Sequence, residues 1–314
     1  MNIIDSDSAR VFHPEIAKDA ATAQTTPALR ARLAKILAAS GIGAADAASE
    51  DGPSHFTFGV AELDQTLRGN AAQEGLPRAA LHEIHSAEKG DRTNAAAMAL
   101  LLAERCRSLH GETMTESMES RSILWVSETG EARRQGKLYP PGLAELGLDP
   151  ASIIHVDAPD TIAVLRAAAD GVRSPAMGAV IVELAGKKPK GLDMTATRRL
   201  SLSAQQTGVL TLLLRSGTDQ KDPAPTAAFS RWEVGAAPSL PLEANASGHP
   251  AFDITLLRHR SGLYGLSARL EWNRDDRIFR KQETVTAAHF ETTDTGIVPS
   301  VSADRTGDSV TQAA

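Results

Sequence analysis

The sequence predicts an α/β protein: a mostly parallel β-sheet with helices on both faces, extended at its C-terminal end by an antiparallel hairpin. Three observations carry that expectation. Between residue 54 and about residue 216, short apolar runs alternate with longer amphipathic stretches, the rhythm of strands joined by crossover helices. The apolar runs are almost uninterrupted, as strands covered on both sides must be. Beyond a Pro-rich loop, SGTDQKDPAPTAA at 216–228, the rhythm changes to strand-like segments with no helix between them.

Along the chain, residues 1–25 are polar and rich in Ala and Thr, and TTPALRARLAKILAASG then carries a helix signature. Thr26 is its N-cap, Pro27 its first position and Gly41 its terminator. Leu29, Leu33, Ile36 and Leu37 share one face, suited to docking on the chain's own domain or on a partner. Residues 42–53 read as a linker. The expected core strands are AALHEI (79–84), SILWVS (122–127), SIIHVD (152–157), AVIVEL (179–184) and VLTLLL (209–214), with helices near 93–109, 142–147, 160–171 and 193–206. In the first of these helices Met98, Leu101, Leu102, Cys106 and Leu109 line one side. The polar segment 112–121 reads as a surface loop.

Past the Pro-rich loop, RWEV (231–234), FDITLLRHR (252–260) and YGLSARLEW (264–272) read as strands, the last two joined at Ser261, Gly262 and Leu263. Residues from 284 on are polar and Thr-rich, a disordered tail in expectation. The predicted organisation is an N-terminal helix and linker (1–53), a sheet core (54–228), a C-terminal β extension (229–283) and a tail (284–314).

Composition excludes several function classes. A formal charge of -6 and a pI near 5.9 give no global attraction to nucleic acid, so DNA contact would need a local patch. Cys106 is the one cysteine, which rules out an intramolecular disulfide or a Cys-based zinc site and fits a reducing, cytoplasmic setting. The N-terminal residues have no basic start followed by an apolar core, and the longest apolar helical run, AAAMALLLA at 95–103, is far below the ~20 residues that cross a bilayer. A membrane role is not expected.

The stretch from 58 to 103 carries the functional signal. It places a Leu63-Asp64 pair, a Gly75-Leu-Pro-Arg78 lead-in, a strand, a loop and a helix in one continuous order. A working phosphate loop reads GxxxxGK[ST]: its glycines let backbone N–H groups cradle phosphates, Lys reaches the terminal oxygens and Ser/Thr holds magnesium. The matching stretch is SAEKGDRT. Ser86 replaces the first Gly, Asp91 the second and Arg92 the Lys, with Lys89 and Gly90 between them, while Thr93 keeps the magnesium-binding residue type. Asp91 is expected to point negative charge at the phosphate space, and Arg92 keeps the charge without the compact ammonium. An ordinary strand-to-helix turn capped by Asp91 or Thr93 accounts for the same residues. Either way, ATP with magnesium is disfavoured as a cofactor.

On a resemblance to RecA-type enzymes, Glu183 at the end of AVIVE would stand at the metal-holding Asp position and Glu128 at the end of SILWVSE near the water-activating Glu; both are candidate catalytic acids of low specificity, since many open-sheet strands end in an acid. The stretch from 58 to 103 resembles the entry to a RecA-family ATPase core, and that resemblance implies that Arg215 and Ser216 stand in place of the polar pair that senses the γ-phosphate.

Together the lead-in, LYPPGLAELGLDP (138–150), RRLSLSAQQTGVLTLLLRS (198–216) and the RLEW hairpin resemble the ImuA family over about residues 54–280. These are RecA-like proteins, related to the SulA cell-division inhibitors. The resemblance implies a RecA-like fold and a part in damage-induced translesion synthesis beside an ImuB-type Y-family-like protein, an error-prone DnaE-type polymerase and RecA itself. A non-hydrolysing accessory protein is the leading reading. A DNA-stimulated ATPase and a SulA-like inhibitor are the alternatives, the second disfavoured by the length of the chain.

Two basic clusters are candidate DNA or partner contacts: Lys187, Lys188, Lys190, Arg198 and Arg199 after the Glu183 strand, and Arg258, Arg260 and Arg269 in the C-terminal hairpin, where Arg258 and Arg260 project together. A solvated loop and a solvated edge strand explain them as well. His82 and His85 fall on opposite faces of a strand, which argues against a shared metal.

Overall fold

The computed structural model describes residues 54–68, 73–108, 121–217 and 225–282. The expected N-terminal helix and linker, the 112–121 insertion except its last residue, and the tail lie outside them. The described elements are β1 (His55–Phe56), α1 (Ala61–Arg68), β2 (Leu76–Pro77), β3 (Leu81–Ser86), α2 (Arg92–Ser108), β4 (Ser122–Glu128), α3 (Thr129–Gln135), α4 (Pro140–Glu145), β5 (Ile153–Ala158), α5 (Thr161–Arg173), β6 (Met177–Ala185), α6 (Met194–Thr207), β7 (Leu210–Ser216), β8 (Ser230–Ala236), β9 (Ala251–His259), β10 (Ser267–Asn273) and β11 (Ile278–Lys281).

Nine strands form one sheet in the order β11-β10-β9-β8-β3-β7-β6-β4-β5. The strands from β8 to β5 are parallel. The strands β9, β10 and β11 continue the sheet antiparallel from β8. This is the expected α/β sheet, mostly parallel with a C-terminal antiparallel extension, and β3, which leads into the loop, lies in the sheet's interior.

Strand alternation divides the core into two layers. Ile84, Ile123, Trp125, Ile181 and Leu212 face α2. Leu81, Leu124, Val126, Val182 and Leu213 face α5 and α6. The helix α2 is buried on most of its circumference, because Trp272 and Phe279 of the extension join the cluster that holds Met98 and Leu101. An Ala-rich helix suits that position, since small side chains allow close approach on several sides.

The lead-in folds around Asp64. Its carboxylate accepts hydrogen bonds from the backbone N–H groups of Phe58 (2.8 Å), Gly59 (3.0 Å) and Val60 (3.0 Å), and its carbonyl accepts one from Gly75 (2.9 Å). Gly75 has φ +83, and a Cβ there would lie 2.2 Å from the Phe56 carbonyl oxygen, so only glycine lets β2 return beside β1. Two segments distant in sequence also meet: the Trp272 indole donates to the Leu146 carbonyl (2.9 Å), and a Cβ on Gly147 would lie 2.8 Å from the Arg274 carbonyl.

Three expectations are corrected. The RWEV strand joins the parallel sheet itself, because β8 pairs in parallel with β3, Glu83 opposite Arg231, so the antiparallel part of the extension begins at β9. The strand β10 begins at Ser267 rather than residue 264, since the preceding residues fold back on β9 through hydrogen bonds from Leu256 N to Leu266 O and from Gly265 N to Leu256 O, both 2.7 Å. The strand β11 was not expected; Arg277, at φ 51, completes the turn that brings it back along β10. Among the described residues no helix is long and apolar enough to cross a membrane.

Candidate functional site

The loop between β3 and α2 is a single 3-10 turn, Lys89–Asp91, preceded by Ala87 and Glu88. Ala87 N donates to the Val234 carbonyl (2.9 Å), Asp91 N to the Glu88 carbonyl (3.2 Å) and Glu88 N to Asp91 Oδ2 (3.2 Å). These are amides of the kind a phosphate cradle would leave for its ligand, and here they are satisfied within the protein. Asp91 Oδ1 accepts from Ala236 N of β8 (2.9 Å) and from Asn94 Nδ2 (3.3 Å). The expectation that Asp91 aims its charge at the phosphate space is therefore overturned. Its carboxylate faces the end of β8 and pins the loop there, because the unpaired donor at Ala236 is the nearest group able to satisfy it.

Arg92, the first residue of α2, is turned on Glu183. Its Nη2 donates to Glu183 Oε1, its Nη1 lies 4.0 Å from Glu131 of α3, and Trp125 Nε1 donates to Glu183 Oε2 at 3.0 Å. The residues at the positions where a working loop has its Lys and its magnesium-holding acid are thus each other's partner. Their side chains are only 13% and 9% exposed, so the pair sits where charges interact strongly and are expensive to separate. Thr93, Lys89 and Gly90 stay exposed at the rim. The remaining space is a cleft of about 140 Å³, lined by Arg92, Thr93, Trp125, Ser127, His155 and Glu183. Pockets that hold small ligands run to roughly 300–1,000 Å³.

Glu128 does not join this site. Alternation along β4 sends Trp125 and Ser127 toward α2 and Glu128 toward the other face, where its carboxylate accepts a hydrogen bond from Thr161 of α5. Ser127, which shares a hydrogen bond with His155 Nε2 (3.1 Å), lines the cleft instead. Sequence reasoning missed Trp125, Ser127, Glu131 and His155. The period-2 alternation of SILWVSE was the signal available for the first two.

On the opposite face a buried charge cluster holds the loop after β6. Glu83 lies 2.9 Å from Arg231 Nε, 3.0 Å from His85 Nε2 and 4.0 Å from Arg215 Nη1. Burial pushes the Glu83 carboxyl up, but His85 and Arg231 outweigh it and hold it below the usual range. Arg215 Nη2 also donates to the carbonyls of Gly186 (3.1 Å) and Lys187 (3.4 Å), so it anchors a loop and takes no part in the cleft beside Arg92.

The loop's Lys187, Lys188 and Lys190 are exposed, as are Arg198 and Arg199 on α6. In the hairpin, Arg258 donates to the carbonyls of Thr226 (3.4 Å) and Ala228 (3.1 Å), and Arg260 lies 5.3 Å above the Phe229 ring. They do project toward the same segment, and the chain itself uses them there. Arg269 forms a two-bond pair with Asp253 at 2.7 and 2.8 Å, which cancels its charge and removes it from a basic patch. His82 shares hydrogen bonds with Ser230 (2.7 Å) and the Pro77 carbonyl (2.8 Å), while His85 turns to Glu83. Burial pushes His82 down to about 4.

The sheet order and the contacts around the β3–α2 loop define an α/β protein with a mostly parallel sheet, in which Asp91 and Arg92 of that loop are bonded to β8 and to Glu183. No family model matches the chain. Two proteins called "Protein ImuA", from Caulobacter vibrioides strains NA1000 / CB15N and ATCC 19089 / CIP 103742 / CB 15, are each 29% identical over 218 residues, covering 67% of this chain and 80% of theirs. Among solved structures it is similar to the RadB recombinase (14% identity, TM-score 0.46, 73% of this chain and 100% of that one). It is also similar to a KaiC-like protein of Pyrococcus horikoshii OT3 (13%, TM-score 0.42, 74% and 100%).

Proposed function

We propose that this chain is a non-hydrolysing RecA-like accessory protein of damage-induced, error-prone translesion DNA synthesis. It works by contact with an ImuB-type Y-family-like protein, an error-prone DnaE-type polymerase or RecA. Homology to ImuA supports the process. The observation that carries the mode of action is the Arg92–Glu183 pair. Hydrolysis of a triphosphate needs a cation free for the phosphate oxygens and an acid free for magnesium. Here each neutralises the other, and stranding one member of such a pair costs about 3–5 kcal/mol.

The test is damage-induced mutation frequency in cells lacking this chain and complemented with variants. Wild type is expected to restore mutagenesis, and Thr93→Ala, which removes the one surviving magnesium-type side chain at an exposed position, is expected to restore it equally. Loss of mutagenesis with Thr93→Ala in a protein of normal abundance would favour an active nucleotide site. An unchanged mutation frequency without the chain would remove the translesion role. Co-purification from damaged cells then identifies which partner is held.

A further inference from the structure

The helices α5 and α6 lie side by side on the sheet face away from the phosphate loop, and between them runs a groove of about 740 Å³. The helix α5 carries two apolar stripes. Thr161, Val164, Ala168 and Val172 are buried against the sheet. Ile162, Leu165 and Ala169, at i, i+3 and i+7, line the groove instead and meet Leu200 and Leu202 of α6. Ile162 is 38% and Leu202 37% exposed, an unusual position for large aliphatic side chains flanking one depression.

The rim has the opposite charge to the protein. Arg166, Arg173 and Arg199 line it against a single acid, Asp170, which pairs with Arg173 at 3.0 Å. Arg166 and Arg199 make no hydrogen bond or ion pair with any described residue. On a chain of net charge -6, a local excess of cations around an apolar floor selects for an acidic ligand. From Ile162 to Arg173 the groove spans about 16 Å at 1.5 Å per residue, three turns of a docked helix.

We propose that this groove docks an amphipathic helix of another protein, with an apolar stripe at i, i+3, i+4 and i+7 bordered by Asp and Glu. The inference extends the accessory reading by giving it a surface, and it stands whether or not the phosphate loop binds nucleotide. ATP turnover would overturn that reading and leave the groove untouched.

The test uses the full chain and two labelled synthetic helical peptides, one with a Leu stripe flanked by Glu and the other with Lys at every Glu position. By fluorescence anisotropy the Glu peptide is expected to bind at least about tenfold more tightly than the Lys peptide. The double variant Arg166→Glu, Arg199→Glu should invert that preference, and Leu202→Gln should weaken the Glu peptide while leaving the protein folded. Because the native Cys106 is buried, with its thiol pushed up to about 11 by desolvation, a Leu202→Cys variant reports on the groove through alkylation at neutral pH. Its labelling should be fast in the free chain and slowed by the Glu peptide. Equal binding of both peptides, or an unchanged preference in the double variant, would overturn the proposal. So would slow labelling of the free chain, which would mean that the chain itself or a second copy already fills the groove.

Discussion

On the α2 face of the sheet, the groups that could receive a ligand are turned on one another: Arg92 on Glu183, Asp91 on β8, and loop amides on carbonyl and carboxylate oxygens. On the α5–α6 face, the described residues leave a groove five times larger open, with two unpaired arginines above exposed Ile162 and Leu202 (about 740 against about 140 Å³). The contacts that turn Arg92, Glu183 and Asp91 on one another also tie α2 to β6 and the loop to β8.

If the α2 face is closed for structural reasons, breaking its lock should cost the most. Glu183→Ala strands the Arg92 guanidinium at a nearly buried position and is expected to lower unfolding free energy by about 3 kcal/mol in urea titrations. A loss below about 0.5 kcal/mol would mean that the pair is incidental.

Next in size is a pH effect. His82 also belongs to the closed face, tying β3 to β8 through Ser230. It is held neutral, about 4 in the fold against 6.5 unfolded, so on acidification the unfolded chain takes up its proton first. Stability is present above pH 6.5 and lost as pH falls toward 4, amounting to about 2 kcal/mol between pH 7 and pH 5. Urea midpoints at the two pH values measure it, and His82→Gln should remove most of the difference.

Smaller again is Asp91→Gly. It brings back a glycine where a working loop has one, yet it deletes the pin to Ala236 and should destabilise by about 1 kcal/mol. A gain in stability would show that the carboxylate is strained where it sits. The smallest effect belongs to the open face, where Arg166→Ala and Arg199→Ala should each change stability by less than about 0.5 kcal/mol, as exposed cations without partners do.

The sequence made much of the fold legible, because a strand buried on both faces must be an apolar run: SILWVS, AVIVEL and VLTLLL all appear in the sheet within two residues of their expected limits. The helices near 160–171 and 193–206 were equally plain from their periodicity. The place of β8 was not, since local pattern says that RWEV is a strand but not that its neighbour is β3. At the site, the missing glycines could be read directly, whereas the Arg92–Glu183 pair joins residues 91 positions apart and depends on side-chain direction. Asp91 was identified as the decisive residue for the wrong reason: its effect comes from the β8 backbone it holds. Glu128 was misplaced because one residue along a strand changes the face.

The most direct measurement is isothermal titration of the full chain with ATP and magnesium, run beside a turnover assay with and without single-stranded DNA. Closure of the loop by Arg92, Glu183 and Asp91 predicts no saturable heat at millimolar nucleotide and no hydrolysis above background. Saturable, magnesium-dependent binding that disappears in Arg92→Ala or Thr93→Ala would contradict it.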